Sequence, residues 1–312
     1  MPAYLLRRTG QALLVLWAAF TASFVLLQLM PGDAVLIKFL SPDLGLGPEQ
    51  IAQIRSAYGV DQPVWQQYLY TLGRVLTGQL GYSLQAGVPV NQLIGTNLPP
   101  TLRLASLGLA VALVLAIVLA LAASVVRVAV VRRVLQSLPS LLVSVPVFWL
   151  GIMLIQLVSF QLGWVPVINP GPVQGLILPT LTLAVPISAP LAQLLMRNLD
   201  AAMAQPYVAV ARAKGASQLH VLLRHAARNA VLPVLTMAGV LFGELLAGAV
   251  VTEAVFGLNG LGSLTQQAVA HQDTAVLQAV VLVSATAFVS INWLVDALFP
   301  LFDPRLRYAA GG

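Results

Sequence analysis

The chain has 312 residues, 59% of them hydrophobic and only 8% charged, with a formal net charge of +6 and no cysteine. At a mean hydropathy of +0.89, a water-soluble globule would expose far too much apolar surface, so the composition is that of an integral membrane protein. The lack of cysteine excludes disulfides, thiol catalysis and cysteine-bound metal, and the positive balance does not point to nucleic acid, because the basic residues flank apolar runs instead of interleaving with aromatics.

In chain order, Thr9 to Met30 is apolar enough to cross a bilayer, which takes roughly 20 helical residues, and Arg7-Arg8 precede it. A cleaved signal peptide would have a shorter apolar core of about 7 to 15 residues, and Arg7-Arg8 alone is too little for a twin-arginine signal, so a retained first span is expected. Pro31-Gly32-Asp33 stops it. Residues 34 to 92 are the least hydrophobic part, yet Val64, Trp65, Tyr68, Leu69, Leu72, Val75 and Leu76 recur at helical spacing after a start signal at Asp61 and Pro63, which predicts an amphipathic helix outside the bilayer. Pro99-Pro100-Thr101-Leu102 leads into a second span to about Val126, followed by Arg127, Arg132 and Arg133. A third span runs from about Leu135 to Leu162, and the loop Gly163 to Pro172 carries no Lys or Arg. The fourth, about Gln174 to Met196, holds Pro179, Pro186 and Pro190 and is expected to be kinked or broken and backed by other helices.

Tyr207 to Pro233 then forms a basic island, with Arg212, Lys214, Arg224 and Arg228 and no acidic residue. Ala211-Arg212-Ala213-Lys214 has high helix propensity, and Gly215 is the residue type that turns the backbone at positive φ. A second helical run, Gln218 to Ala230, ends before Leu232-Pro233. The expected unit is helix, glycine turn, helix, lying at a membrane surface. A fifth span covers about Val231 to Thr252, and the glycine-rich loop Phe256 to Gly262 follows it. The sixth span runs from about Val276 to Pro300.

Charge distribution tests this order independently. With six spans and both ends cytoplasmic, the inside holds residues 7, 8, 127, 132, 133, 197, 212, 214, 224, 228, 305 and 307, leaving Lys38, Arg55, Arg74 and Arg103 outside. That follows the positive-inside rule, and shifting the parity by one span would put the basic island outside. The chain has no Gly-x-x-x-x-Gly-Lys-Ser/Thr phosphate loop, since Ala213-Lys214-Gly215-Ala216-Ser217 lacks both the first glycine and the Gly-Lys order. It also has no Gly-x-Ser-x-Gly nucleophile motif. His220 and His225 are five apart, not the four that stacks two ligands on one helical face, and His271 is remote, so neither a metal nor a catalytic residue is expected.

Tyr207-Val208-x-x-Ala211-Arg212-Ala213-Lys214-Gly215, followed by His225, Arg228, Asn229 and Pro233, resembles the cytoplasmic coupling segment of ABC importer permeases in the dipeptide/oligopeptide/nickel branch. The wider importer signature has Glu-Ala-Ala where this chain has Ala209, Val210 and Ala211, a departure that suits the peptide branch. Pro31-Gly32-Asp33, Tyr58-Gly59-Val60-Asp61-Gln62-Pro63, Gly78-Gln79-Leu80-Gly81-Tyr82-Ser83, Ser144-Val145-Pro146-Val147-Phe148 and Asp303-Pro304-Arg305-Leu306-Arg307-Tyr308 also resemble that family, with Gln79 replacing a common aspartate. The resemblance covers nearly the whole chain. It implies an all-α integral membrane protein of the bacterial or archaeal inner membrane, with six transmembrane helices, both termini cytoplasmic and an extracytoplasmic helical insert after helix 1. The implied divisions are residues 1–30, the insert 31–89, the permease core 90–303 with its coupling segment at 205–230, and a tail 304–312.

The resemblance further implies an importer for peptides or a similar small solute, without catalysis or a cofactor on this chain. A second homologous permease, two subunits that bind ATP and Mg, an extracytoplasmic solute-binding protein and membrane lipid are the implied partners, and nucleic acid is not. Ala211, Arg212, Ala213, Lys214, Gly215, Ala216 and Ser217 would form the coupling turn, and Leu219 or Leu222 the apolar knob for the partner's groove. The alternative for the basic residues is attachment of an amphipathic helix to anionic lipid; the placed glycine and the ordered flanking matches favour coupling.

Glu244 lies mid-way along the fifth span, where an unpaired charge costs on the order of 3 kcal/mol. It is expected either to line the translocation path or to pack against a polar neighbour. Glu253 reads as a solvated interfacial residue, and Asp296 as a structural partner for a nearby arginine or polar backbone. Other readings are a nickel-chelate or glutathione permease of the same family, an ion-coupled secondary transporter using Glu244, or a scaffold without transport. No internal symmetry supports the secondary transporter, and a scaffold leaves Glu244 unexplained.

Overall fold

A computed structural model describes residues 2–29 and 62–302. The sequence matches at Pro31-Gly32-Asp33, at Tyr58 to Asp61 and in the tail from Asp303 lie outside the described residues, as do the cations Lys38 and Arg55.

The first helix, α1 (Pro2–Gln28), begins before Arg7-Arg8 and carries them within it. The amphipathic helix is present as α2 (Val64–Leu76). Its half-buried stripe is Tyr68, Thr71, Leu72 and Val75, whereas Trp65, Leu69 and Leu76 of the expected apolar face are exposed. The second span is one helix, α3 (Val90–Val125), with Pro99 and Pro100 inside it. Its 36 residues make about 54 Å of helix, well beyond a hydrocarbon core of about 30 Å.

The third span is not one helix. It divides into α4 (Ala129–Val143) and α5 (Val147–Leu154), the latter prolonged by π-helical turns over Ile155–Gln161, with a bend of 104° between the halves. The break falls at Ser144-Val145-Pro146, where Pro146 has no N–H to continue the ladder. By contrast α6 (Gln174–Met203) runs unbroken through Pro179, Pro186 and Pro190. Burial explains the difference: Leu178, Thr182, Leu183, Leu191, Leu195 and Leu199 are all enclosed, so packing holds the backbone where propensity would not.

After α7 (Pro206–Ala213) and the short α8 (Gln218–Val221), π-helical turns over Leu222–Ala226 lead directly into α9 (Ala227–Phe256). The expected helix end before Leu232-Pro233 is therefore corrected, with Pro233 inside α9. A further helix, α10 (Leu261–Ala270), begins at the end of the glycine-rich loop and precedes α11 (Thr274–Phe302). Among the described residues, five helices are long and apolar enough to cross a membrane, or six crossings if the bent α4–α5 pair is one.

The chain forms two compact units. One comprises residues 1–10, 101–258 and 287–312, with a core of α3, α6 and α9. Ala105, Ala112, Ala116, Ala120 and Ala123 make a small-residue stripe on α3 that lies in one cluster with Leu183, Ile187, Leu191, Leu195 and Leu199 of α6 and Val234, Leu241 and Leu245 of α9. Where lipid is as apolar as the side chains, such close packing is the principal attraction between helices. The other unit comprises residues 11–100 and 259–286, centred on Val90 and Ile94 of α3, Leu261 and Leu264 of α10, and Val276, Leu277 and Val280 of α11. Within it Tyr68 of α2 packs against Phe20 and Phe24 of α1, with ring centroids 5.5 and 5.4 Å away. The Thr21 and Tyr68 hydroxyls are 2.9 Å apart.

Candidate functional site

The basic segment is built by two capping devices in succession. At the end of α7, Gly215 adopts φ +86°. Its N–H donates to the Arg212 carbonyl at 2.9 Å, and the Ala216 N–H donates to the Ala211 carbonyl at 3.1 Å. This is the Schellman arrangement, which needs the left-handed residue that glycine supplies without steric cost. Two residues on, the Ser217 hydroxyl accepts the His220 N–H at 3.3 Å and caps α8. Ala211 to Ser217 are thus brought together as one turn, as the spacing predicts.

Burial sorts the segment's apolar residues. Val208, Val221 and Leu222 are buried, and Leu222 belongs to the α3–α6–α9 core. Leu222 is therefore an internal anchor, which corrects its expected role as a projecting knob. Leu219 is 51% exposed, and Val210 of α7 and Leu223, four residues after Leu219, are 56% and 51% exposed. The sequence reading missed Val210 and Leu223; the i, i+4 relation of Leu219 and Leu223 was the available signal. Arg212, Lys214 and Arg224 are exposed. The Gln218 side chain donates from Nε2 to the Ser124 carbonyl at 3.2 Å, tying the turn to the end of α3. Elsewhere in the same unit, Arg132 of α4 pairs with Asp200 of α6 at 3.3 Å.

The acids divide sharply. Glu244 is exposed on α9, and among the described residues it makes no hydrogen bond or ion pair, so the expected packing against a polar neighbour within the chain is not found. Glu253 is only 1% exposed, and its Oε1 accepts the Thr101 hydroxyl at 2.5 Å. The expectation of a solvated interfacial residue is thereby overturned: α9 turns Glu253 inward, toward α3. Asp296 has its side chain outside the described residues. A third acid, Asp273, which the sequence reading passed over, is buried at the start of α11. Its Oδ2 accepts the Ser83 hydroxyl at 2.5 Å and its Oδ1 the Val276 N–H at 3.4 Å. Asp immediately before an apolar helical run is the N-cap pattern that would have found it.

Fold and segment together define a class of protein: a helical bundle with the long apolar helices of a membrane protein, carrying an anchored, cationic helix–glycine–helix turn on its surface. Residues 112–308 match the family described as binding-protein-dependent transport system inner membrane component, and residues 1–105 match the N-terminal region of such components. The chain belongs to this family and is a multi-pass protein of the inner membrane. It is 37% identical over 316 residues to a peptide transport system permease protein of Brucella abortus (strain 2308), covering 99% of this chain and 100% of the relative. It is 35% identical over 309 residues to the glutathione transport system permease protein GsiC of Salmonella typhi, covering 98% and 99%. The structure of the MetNI methionine ABC transporter in inward-facing conformations shares the fold, with a TM-score of 0.54 at 16% identity over 68% of this chain and 97% of that one.

Proposed function

We propose that the chain is the permease subunit of an ATP-driven importer for peptides or a similar small solute. The observation that carries this reading is the end-to-end likeness to peptide and glutathione permeases, at 37% and 35% identity. In this reading the termini and the basic segment are cytoplasmic, and α2 belongs to an extracytoplasmic insert. The partners are a second homologous permease, two subunits that bind ATP and Mg, and a solute-binding protein.

The exposed turn at Gly215 is the part that would meet an ATP-binding subunit. Leu219, with Val210 and Leu223, supplies apolar surface for a groove, and Arg212, Lys214 and Arg224 supply cations for acidic groups at its rim. Val208, Val221 and Leu222 transmit force inward because they are fixed in the core. Closure of the ATP-binding pair would draw two such segments together and turn the bundle from inward-facing to outward-facing as a rigid body. An exposed, unpaired Glu244 in mid-helix calls for an aqueous path or a subunit contact, since lipid would not tolerate it.

Co-purification of the tagged chain from its native membrane, followed by an ATPase assay, tests the reading. Wild type is expected to bring down an ATP-binding protein, and Gly215→Asp to lose it or its stimulated turnover. A Cβ at Gly215 would meet nothing within 4 Å, so the substitution acts on the turn and its surface without crowding the spans. Recovery of the wild-type chain alone, moving solute without ATP, would overturn the proposal.

A further inference from the structure

The start of α4 carries a second cationic cluster, apart from the Gly215 turn. Arg127, Arg132 and Arg133 follow one another closely there, and Arg197 and Asp200 stand near the end of α6. Arg132 is neutralised by Asp200, whereas Arg127, Arg133 and Arg197 are exposed and, among the described residues, have no carboxylate partner. Between Arg133 and Arg197 the sequence holds no Asp, Glu, Lys or Arg, so these cations mark the edge of the stretch that enters the membrane and returns. Arg132 meets Asp200 and Ser140 meets Gln193, which sets α4 antiparallel to the long apolar α6.

An exposed apolar stripe leads away from the cations. Val130, Val134 and Leu141 share one face of α4 and are all exposed, opposite the buried Pro139. Ser137, on the same face, donates its hydroxyl to the Val134 carbonyl at 3.0 Å and so leaves no free donor there. From Val130 to Leu141 the stripe runs for about 16 Å of helix, close to half of a hydrocarbon core of about 30 Å. The helix ends at Val143, and the bend follows. The stripe is therefore one leaflet long.

Arg133 borders it. Helical side chains lean toward the N-terminus, so the Arg133 stem passes beside Val130 and its charged head reaches back toward Arg127 and water. Two cations at the water end of a leaflet-long aliphatic stripe match the charge and shape of one lipid. A protein partner would find no hydrogen-bonding group below the arginines, whereas an acyl chain needs none.

We infer that this face of α4 holds an anionic phospholipid, its phosphate at Arg127 and Arg133 and one acyl chain along Val130, Val134 and Leu141. The site depends on the chain being a membrane protein and not on the importer reading, so the two can fail separately.

The test uses the full chain with its co-purified subunits in dodecyl maltoside. It is titrated with dioleoyl phosphatidylglycerol or dioleoyl phosphatidylcholine and read by native mass spectrometry. The acyl chains are identical, so the probes differ only at the headgroup, and phosphatidylglycerol is expected to bind more tightly. Arg127→Gln and Arg133→Gln should each lower its affinity roughly fivefold, the size of one surface cation, and together by roughly tenfold or more. Phosphatidylcholine binding should stay nearly unchanged. Arg127→Lys with Arg133→Lys should keep most of the preference, because phosphate also accepts a point charge. Val130→Asn with Val134→Asn should weaken both lipids alike, and Arg103→Gln, at an exposed cation of α3, should change neither.

Equal affinity of the wild-type chain for the two lipids overturns the inference, and that comparison depends on no variant's folding. An equal loss of preference in Arg103→Gln also overturns it, since the effect would then be one of net charge. Displacement by soluble glycerol 3-phosphate at the lipid's own concentration would make a free phosphate the occupant. Phosphatidylglycerol bound to the isolated chain but absent when its subunits are retained would make an acidic protein surface the occupant. Either result sinks the lipid site.

Discussion

Burying Glu253 to 1% exposure removes its carboxyl from water, and the loss is tolerable only because the protein supplies donors such as the Thr101 hydroxyl at 2.5 Å. Removing both members should therefore cost less than the sum of removing each. Thr101→Val leaves the carboxyl a donor short, and Glu253→Leu leaves a buried hydroxyl without its acceptor, at about 1 to 3 kcal/mol each. The double variant should cost less than the sum by about 1 kcal/mol. Thermal unfolding of the solubilised complex measures all three; strict additivity would mean that the pair is not coupled. Gly243 poses the opposite problem, because a Cβ there would overlap the Phe288 ring of α11. Gly243→Val should destabilise by about 1 to 3 kcal/mol through overpacking, and Phe288→Ala in the same chain should recover part of it. Neither relation was legible in the sequence. Thr101 and Glu253 are 152 residues apart, and nothing local tells which face of an all-apolar helix turns inward.

Four helices end by one device. Gly78 after α2, Gly215 after α7, Gly257 after α9 and Gln272 after α10 all have positive φ. In each case the next N–H reaches back five residues: Gln79 to Arg74, Ala216 to Ala211, Leu258 to Glu253 and Asp273 to Ala268, at 2.8 to 3.1 Å. Three of the four use glycine, so Gln272 at φ +54° carries a steric cost the others avoid. Gln272→Gly should stabilise by roughly 1 kcal/mol, and Gly215→Ala should destabilise by about as much, since open space around Gly215 leaves conformation as the only cost. Opposite shifts in unfolding temperature would bear this out, and shifts of the same sign would sink it. The glycine stops were readable because glycine announces the conformation it permits. The α10 end and the α10 helix itself were not, since a glutamine in a left-handed cap carries no such mark. The prolines act differently in the two spans: Pro146 lies at the break of its span, whereas Pro179, Pro186 and Pro190 sit inside an unbroken α6. Proline removes one donor wherever it falls, and tertiary burial decides whether the helix survives the loss.

At the scale of the molecule, the count of membrane crossings turns on the bent pair α4–α5. A re-entrant loop would return to the level at which it began. Contacts along α6 instead step in one direction: Arg132 meets Asp200 and Ser140 meets Gln193, and Gly151 lies against Thr182. From 200 to 182 is 18 residues, about 27 Å of helix, or nearly a full hydrocarbon thickness. The pair then joins the start of α6 through the short loop of residues 162–173. In the proposed topology the pair is one broken crossing, in keeping with the even number of spans that the distribution of Arg and Lys favours. The proposed orientation follows as a prediction that the chain is well suited to test, because it has no cysteine of its own. Val128 and Trp164 are 60% and 73% exposed, one before α4 and the other after the π-helical turns of α5. In right-side-out membrane vesicles an impermeant maleimide should label Trp164→Cys and spare Val128→Cys, with the pattern reversed in inverted vesicles. Labelling of both from the same face would make α4–α5 a re-entrant hairpin. That would reduce the crossings to five, and the termini would then lie on opposite sides.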